Sequence, residues 1–261
     1  SGIPSLGPKQ FLSSVNVISI GGVTSANAKI EVGLAGGRSL VSSVSDDGGR
    51  FRLNLPLPKD QGSYEIAVTA VSGFTSTDAF SVTVDRSAPE IVLDAAPPRL
   101  TAVASLELKG RSKPGATLNL NGREIANRNG RFDETIVLNP GENALELTAS
   151  DAAGNVTVEK WQVRLDREPP VLVRSRIAPA GTGRPVLVVE VEAEDASGLA
   201  GIAPFKVTAG GRVLSGHLRF NRAARIYQGT IVVPPETLAD AKLSEVELVD
   251  DAGNRGVFEI N

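Results

Sequence analysis

Short stretches of this chain recur about 81 residues apart, and that repetition limits what the chain can fold into. Gly49-Arg50-Phe51 returns 81 residues later as Gly130-Arg131-Phe132, and Val84-Asp85-Arg86 returns at the same offset as Leu165-Asp166-Arg167. Between them, residues 62–70 resemble residues 141–149. A third, more divergent unit shares the closing turn: Asp151-Ala152-Ala153-Gly154-Asn155 corresponds to Asp250-Asp251-Ala252-Gly253-Asn254. A repeat of this size is one small module, and each module must bury an apolar face of its own.

The pattern inside each unit has period 2, the mark of half-buried strands. Leu187, Val189, Val191 and Ala193 share one face, while Val188, Glu190, Glu192 and Glu194 share the other. In the second unit Leu106 and Leu108 alternate with Glu107 and Lys109, and Leu118 and Leu120 with Asn119 and Asn121. Lys113-Pro114-Gly115, Asn121-Gly122, Asn129-Gly130 and Asn139-Pro140-Gly141 punctuate these runs as turns. A helical stripe is confined to about one turn near residues 235–242. With 261 residues, at roughly 100 per all-β module, the sequence predicts an all-β chain of three tandem immunoglobulin-like β-sandwich domains in an elongated arrangement. The expected boundaries are a linker at 1–8 and domains at 9–86, 87–167 and 168–261. Proline in the short junctions 85–89 and 166–170 restricts the backbone there, which favours semi-rigid connections.

The second unit resembles the bacterial Ig-like domain known as the glucodextranase-like B domain. The resemblance rests on Leu108-Lys109-Gly110-Arg111-Ser112-Lys113-Pro114-Gly115-Ala116, Asn121-Gly122, Asn129-Gly130-Arg131-Phe132, Leu138-Asn139-Pro140-Gly141-Glu142-Asn143 and Asp151-Ala152-Ala153-Gly154-Asn155. The first and third units are similar to bacterial Ig-like domains more loosely. Such modules occur in adhesins, multi-module glycoside hydrolases and envelope proteins, so the resemblance implies architecture rather than activity.

The residue inventory argues against an enzyme. His217 is the only histidine, cysteine is absent, and no G-x-S-x-G elbow occurs, so neither a multi-histidine zinc site nor a nucleophile elbow can be assembled. Gly181-Thr182-Gly183 runs into Arg184-Pro185 rather than a helix start and is no phosphate cradle. His217 reads as a solvent-facing strand residue. Trp161 shares parity with Val163 and Leu165, which argues for packing over an exposed sugar platform. Tyr64 suits a tyrosine-corner bond. Asp46-Asp47 reads as turn chemistry, with short side chains bonding local backbone.

The Asp-rich turns hold the candidate site. If 151–155 and 250–254 are F–G turns, each faces the junction before its own domain. The second junction then gathers Asp166, Glu168, Glu194, Asp195, Asp250 and Asp251. The first has Asp85 and Asp151, diluted by Arg86, Arg111 and Lys113. Oxygen-only clusters suit Ca²⁺, which takes six to eight such ligands, and Asp166, Asp195, Asp250 and Asp251 are the expected metal ligands. The alternative is that each Asp caps its own turn while Gly supplies positive φ.

A net charge of -3 without a basic stripe makes nucleic acid a poor partner. The longest apolar runs fall far short of the roughly 20 residues of a membrane helix. A start at Ser1-Gly2 with no Met reads as a processed product or a fragment. The expected function is a non-catalytic spacer, stalk or adhesive segment of a secreted, surface or periplasmic bacterial protein, monomeric, with a protein or glycan ligand. Two alternatives stand beside it: an accessory module of a carbohydrate-active enzyme, and a protein-interaction segment of an envelope protein. The third domain departs most from the repeat, and its Gly210-Gly211 turn and residues 221–227 and 234–242 offer loop surface for a ligand.

Overall fold

The computed structural model describes residues 5–7, 9–181 and 184–260, so Thr182 and Gly183 lie outside the described residues. Every regular element among them is a strand, save one 3₁₀ turn at Pro235–Thr237 inside the stretch that carried the short helical signal. None of the strands pairs in the long parallel runs that would need helical crossovers. The chain is all-β, a tandem series of immunoglobulin-like sandwiches. It divides into two compact units, residues 1–95, 109–134 and 146–160 in one and 96–108, 135–145 and 161–261 in the other.

In the first unit a six-stranded sheet runs in the order Ser5–Gly7, Gln10–Ser13, Phe74–Val84, Gly62–Ser72, Lys29–Leu34, Ser39–Val44. A second sheet pairs Val17–Val23 with Arg50–Pro56. Ile18, Ile30, Val32, Leu55, Ile66 and Val82 fill the core between them. Burying each such side chain contributes roughly 1.5–3 kcal/mol, which is why strand parity is obeyed strictly on this face. Within the expected linker 1–8, Ser5–Gly7 is a strand paired with Gln10–Ser13. Gln10–Ser13 pairs in parallel with Ser81–Val84 and leaves its other edge open. The chain reverses through Lys9 at φ 58 and covers that edge with Ser5–Gly7.

The middle sandwich has a three-stranded sheet, Arg131–Val137, Ser105–Ser112, Ile91–Leu93, and a five-stranded one, Leu100–Thr101, Val156–Leu165, Gly141–Ser150, Thr117–Leu120, Arg123–Ile125. Asn121 and Gly122, at φ 50 and 79, make the two-residue hairpin that their dipeptide announces. In the second unit Leu138, Leu145, Val163 and Leu165 form a small core, and Trp161 packs half-buried against it.

The C-terminal part of the second unit is one seven-stranded antiparallel sheet, ordered Val171–Pro179, Val186–Glu194, Ile226–Val232, Arg212–Asn221, Ile202–Ala209, Lys242–Val249, Arg255–Glu259. Arg212–Asn221 is the corner. It pairs along most of its length with Ile202–Ala209, and only its last three residues, Arg219 to Asn221, pair with Ile226–Val232. The sheet thereby folds over, bringing Val171–Pro179 against Lys242–Val249. Leu187, Val189, Val191 and Ala193 on one layer face Ala203, Phe205 and Val207 on the other within a single core. The expected loop at 221–227 is instead a tight reversal. Asn221 Oδ1 accepts from the N–H groups of Ala223 and Ala224, both at 3.1 Å, and Arg225 takes φ 56, so strand structure resumes at Ile226.

Candidate metal centre

Two turns of the same sequence type carry the site, and the first of them, 151–155, belongs to the first unit. Asp151 Oδ1 accepts from the N–H groups of Ala153 at 2.9 Å and Asn155 at 3.0 Å. Gly154 takes φ 85, a backbone region that glycine enters without steric cost. The Asn155 side-chain amide donates twice, to Asp151 Oδ2 and to the backbone carbonyl of Asp85, each at 3.0 Å. Asp85 is the residue immediately after Phe74–Val84, and its own Oδ1 accepts from the Ser87 N–H at 2.9 Å. Into this pair of aspartates comes an ammonium. Lys113 Nζ lies 3.2 Å from Asp85 Oδ2 and 3.6 Å from Asp151 Oδ2. The Ser87 N–H first, and the Lys113 hydrogen bond after it, hold the Asp85 carboxyl below its ordinary 3.8. The bond to Asp85 raises Lys113 above 10.5.

The second turn, 250–254, repeats this wiring in the second unit. Asn254 N–H donates to Asp250 Oδ1 at 2.8 Å. Its side-chain amide donates to Asp250 Oδ2 at 2.7 Å and to the Asp166 carbonyl at 3.0 Å. Asp166 follows Val156–Leu165 as Asp85 follows its strand, and its Oδ1 accepts from the Glu168 N–H at 3.1 Å. The difference lies at the third position. Lys113 is the first residue after Ser105–Ser112, and the residue after Val186–Glu194 is Asp195. An acid stands where the first turn has its base.

Asp166, Asp195 and Asp250 each bring a carboxylate oxygen within 4.8 Å of the other two. Asp166 and Asp250 are buried and Asp195 is half-buried. Asp195 is oriented by Ser197, whose N–H and Oγ both donate to its Oδ1 at 2.7 Å. Among the described residues the ion-pair partner of this group is Arg164, whose Nη2 stands 3.9 Å from Asp166 Oδ2. Three clustered carboxylates against one distant guanidinium leave negative charge in a place with little water, which is costly without a compensating cation. The donor set is oxygen only, the kind that hard cations such as Ca²⁺ take.

The structure brings together three of the four expected ligands. Asp251 stands apart: its carboxylate lies where a Cβ on Gly198 would be, 2.4 Å from Oδ2, and its N–H bonds the Gly198 carbonyl at 3.2 Å. Successive residues of a turn point differently, and Asp250 takes the inward place. Asp251 acts instead on Tyr227, whose phenol is pushed up to about 12, by burial first and by this charge second. Glu168 and Glu194 are exposed and outside the cluster. At the first turn Arg86 reaches away, donating to the carbonyls of Lys59 and Pro58 at 2.9 and 3.0 Å. His217 is exposed on its strand. Asp46 Oδ1 accepts from Gly48 and Arg50 N–H groups at 2.9 and 2.7 Å, as a turn aspartate should. Tyr64 donates to the Asp60 carbonyl four residues upstream at 3.0 Å, a tyrosine-corner bond. Of the three cations the sequence set against Asp85 and Asp151, Lys113 is the one that pairs with both; its alignment with Asp195 beside the matching turns is the signal that went unread.

The fold and this site describe a chain of immunoglobulin-like modules with an acidic turn cluster. No family model matches the chain, so the resemblance to the glucodextranase-like B domain stays with the motifs of the second unit. A stretch of 132 residues is 30% identical to bacillopeptidase F of Bacillus subtilis (strain 168), covering 48% of this chain and 9% of that protein. The chain thus spans about a tenth of the length of the curated relative it matches. Among solved structures, titin domains share 12% identity over 98% of this chain and 96% of that one, with a TM-score of 0.43. A 1.5-MDa bacterial ice-binding adhesin shares 12% over 98% and 93%, with a TM-score of 0.40. Fibronectin(III)-like modules of Clostridium thermocellum CbhA share 15% over 62% and 90%, also at 0.40.

Proposed function

We propose that this chain is a non-catalytic structural or adhesive segment of a larger secreted or surface-exposed bacterial protein, and that Asp166, Asp195 and Asp250 hold a calcium ion that fastens the 250–254 turn to the strand end at Asp166. The observation that carries the calcium reading is the contrast between the two turns. The same Asp–Asn wiring is neutralised at one turn by Lys113, at 3.2 and 3.6 Å, and at the other receives a third carboxylate. A fixed ammonium makes the first turn independent of ions, and a bound divalent cation supplies the same positive charge at the second. The match to bacillopeptidase F occupies a small part of that protein, which fits a segment carried within a larger polypeptide. A lone exposed histidine and aspartates engaged in turns offer no catalytic constellation among the described residues.

Thermal unfolding with and without Ca²⁺ tests this. Calcium at about 100 times its Kd should stabilise the second unit by about 2.7 kcal/mol, and EDTA should remove that gain. Asp195→Lys should abolish the response to calcium while raising stability in EDTA, because it builds at the second turn the ammonium of the first. A melting temperature indifferent to calcium in the unaltered chain would refute the site.

A further inference from the structure

The outer face of Ile91–Leu93, Ser105–Ser112 and Arg131–Val137 carries two neighbouring rows of charge with opposite characters. In one row Lys109 is matched: Asp133 lies opposite at 3.5 Å, and the Asp94 N–H donates to the Lys109 carbonyl at 2.9 Å. Two positions along, Arg111 is paired with Val92 on one side. On the other side it stands opposite Arg131. That register follows from the Ser112 N–H bond to the Gly130 carbonyl at 2.8 Å and from the Lys109–Asp133 pair. A Cβ on Gly110 would also lie 2.7 Å from the Phe132 ring, as expected of the residues between. Like charges directly opposite in a sheet destabilise it. Neither guanidinium has a carboxylate within ion-pair distance among the described residues.

Both arginines line a cavity of about 540 Å³, together with Glu90, Ser112, Lys113 and Asn129. Lys113 is engaged by Asp85 and Asp151, so the uncommitted positive charge in the cavity is the arginine pair. A guanidinium fork matches the edge of a carboxylate, which accepts two parallel N–H bonds from it, and a second guanidinium beside it adds further charge and donors. Glu90 adds the opposite requirement. Its carboxylate calls for O–H donors close to the bound anion. No aromatic ring lines the cavity, so recognition there must be polar rather than stacking.

We propose that this cavity binds a uronic-acid residue of an acidic polysaccharide, its carboxylate between Arg111 and Arg131 and its hydroxyl groups toward Glu90 and Asn129. The site is separate from the aspartate cluster and does not depend on calcium. Titration of the intact chain with trigalacturonate, followed by calorimetry in EDTA, tests it, with galactotriose and triglutamate as comparison ligands. Binding should weaken with added salt and fall roughly tenfold or more in Arg111→Gln and in Arg131→Gln. Each of these variants should melt no lower than the unaltered chain without ligand, because it relieves an unpaired repulsion; a purely structural arginine would show the reverse. No binding at millimolar trigalacturonate would overturn the proposal. So would equal binding of galactotriose, tighter binding of triglutamate, or affinity untouched by both substitutions.

Discussion

Asn155 and Asn254 do the same work in their two units. Each donates one amide hydrogen to the aspartate of its own turn and one to the carbonyl of a strand end far away in sequence, Asp85 or Asp166. Removing such a side chain leaves a carbonyl and a carboxylate short of donors in a partly buried place. Asn254→Ala should therefore cost about 1–3 kcal/mol in urea unfolding of the second unit, with a smaller loss for Asn254→Ser. Lys113 and Asp85 give a pH signature. Asp85 titrates below its ordinary value, so its contribution is present above that value and lost as acid protonates it in the fold. Lys113 titrates above its ordinary value, so its contribution is present below 10.5 and lost as alkali deprotonates it. The melting-temperature advantage over Lys113→Gln should be flat from about pH 5 to about pH 10 and shrink on either side. A difference that persisted at pH 2 would mean that Lys113 acts by packing alone.

At the scale of elements, the recurring Gly-Arg-Phe marks the same strand entry twice. Gly49 has φ 72, and a Cβ there would lie 1.9 Å from the Thr24 carbonyl oxygen. Gly130 has φ 86 and a Cβ position 2.8 Å from the Ser112 carbonyl oxygen. The phenylalanine two residues on turns inward, Phe51 against the first core and Phe132 into burial. Glycine is thus required for both conformation and space, and Gly49→Ala should destabilise the first unit by about 2 kcal/mol or more, read from its denaturation midpoint. The repeat was plain in the sequence, and so was the strand pattern around it. The close approach of the carbonyl was not, because Thr24 and Ser112 are far from the glycines they meet along the chain. The same holds for residues 5–7, where an open strand edge, invisible in their own composition, recruits them into the sheet.

For the whole molecule, the single tryptophan offers a selective report. Trp161 belongs to the second unit and packs against Leu138, Leu145, Val163 and Leu165. Unfolding followed by its fluorescence should shift upward with calcium, while Gly49→Ala should leave that signal in place and move a separate transition seen by circular dichroism. Fluorescence unmoved by calcium, beside a shifted circular-dichroism transition, would put the ion elsewhere. The sequence by itself determined the all-β class, the core faces and the turns, because strand parity and glycine or asparagine punctuation are local properties of the chain. Only the tertiary structure decided which charges meet. It joined Asp166, Asp195 and Asp250 and turned Asp251 aside, and it placed Lys113 between two aspartates and Arg111 opposite Arg131. These contacts join residues distant along the chain, and their geometry is fixed by strand register, which no local pattern encodes.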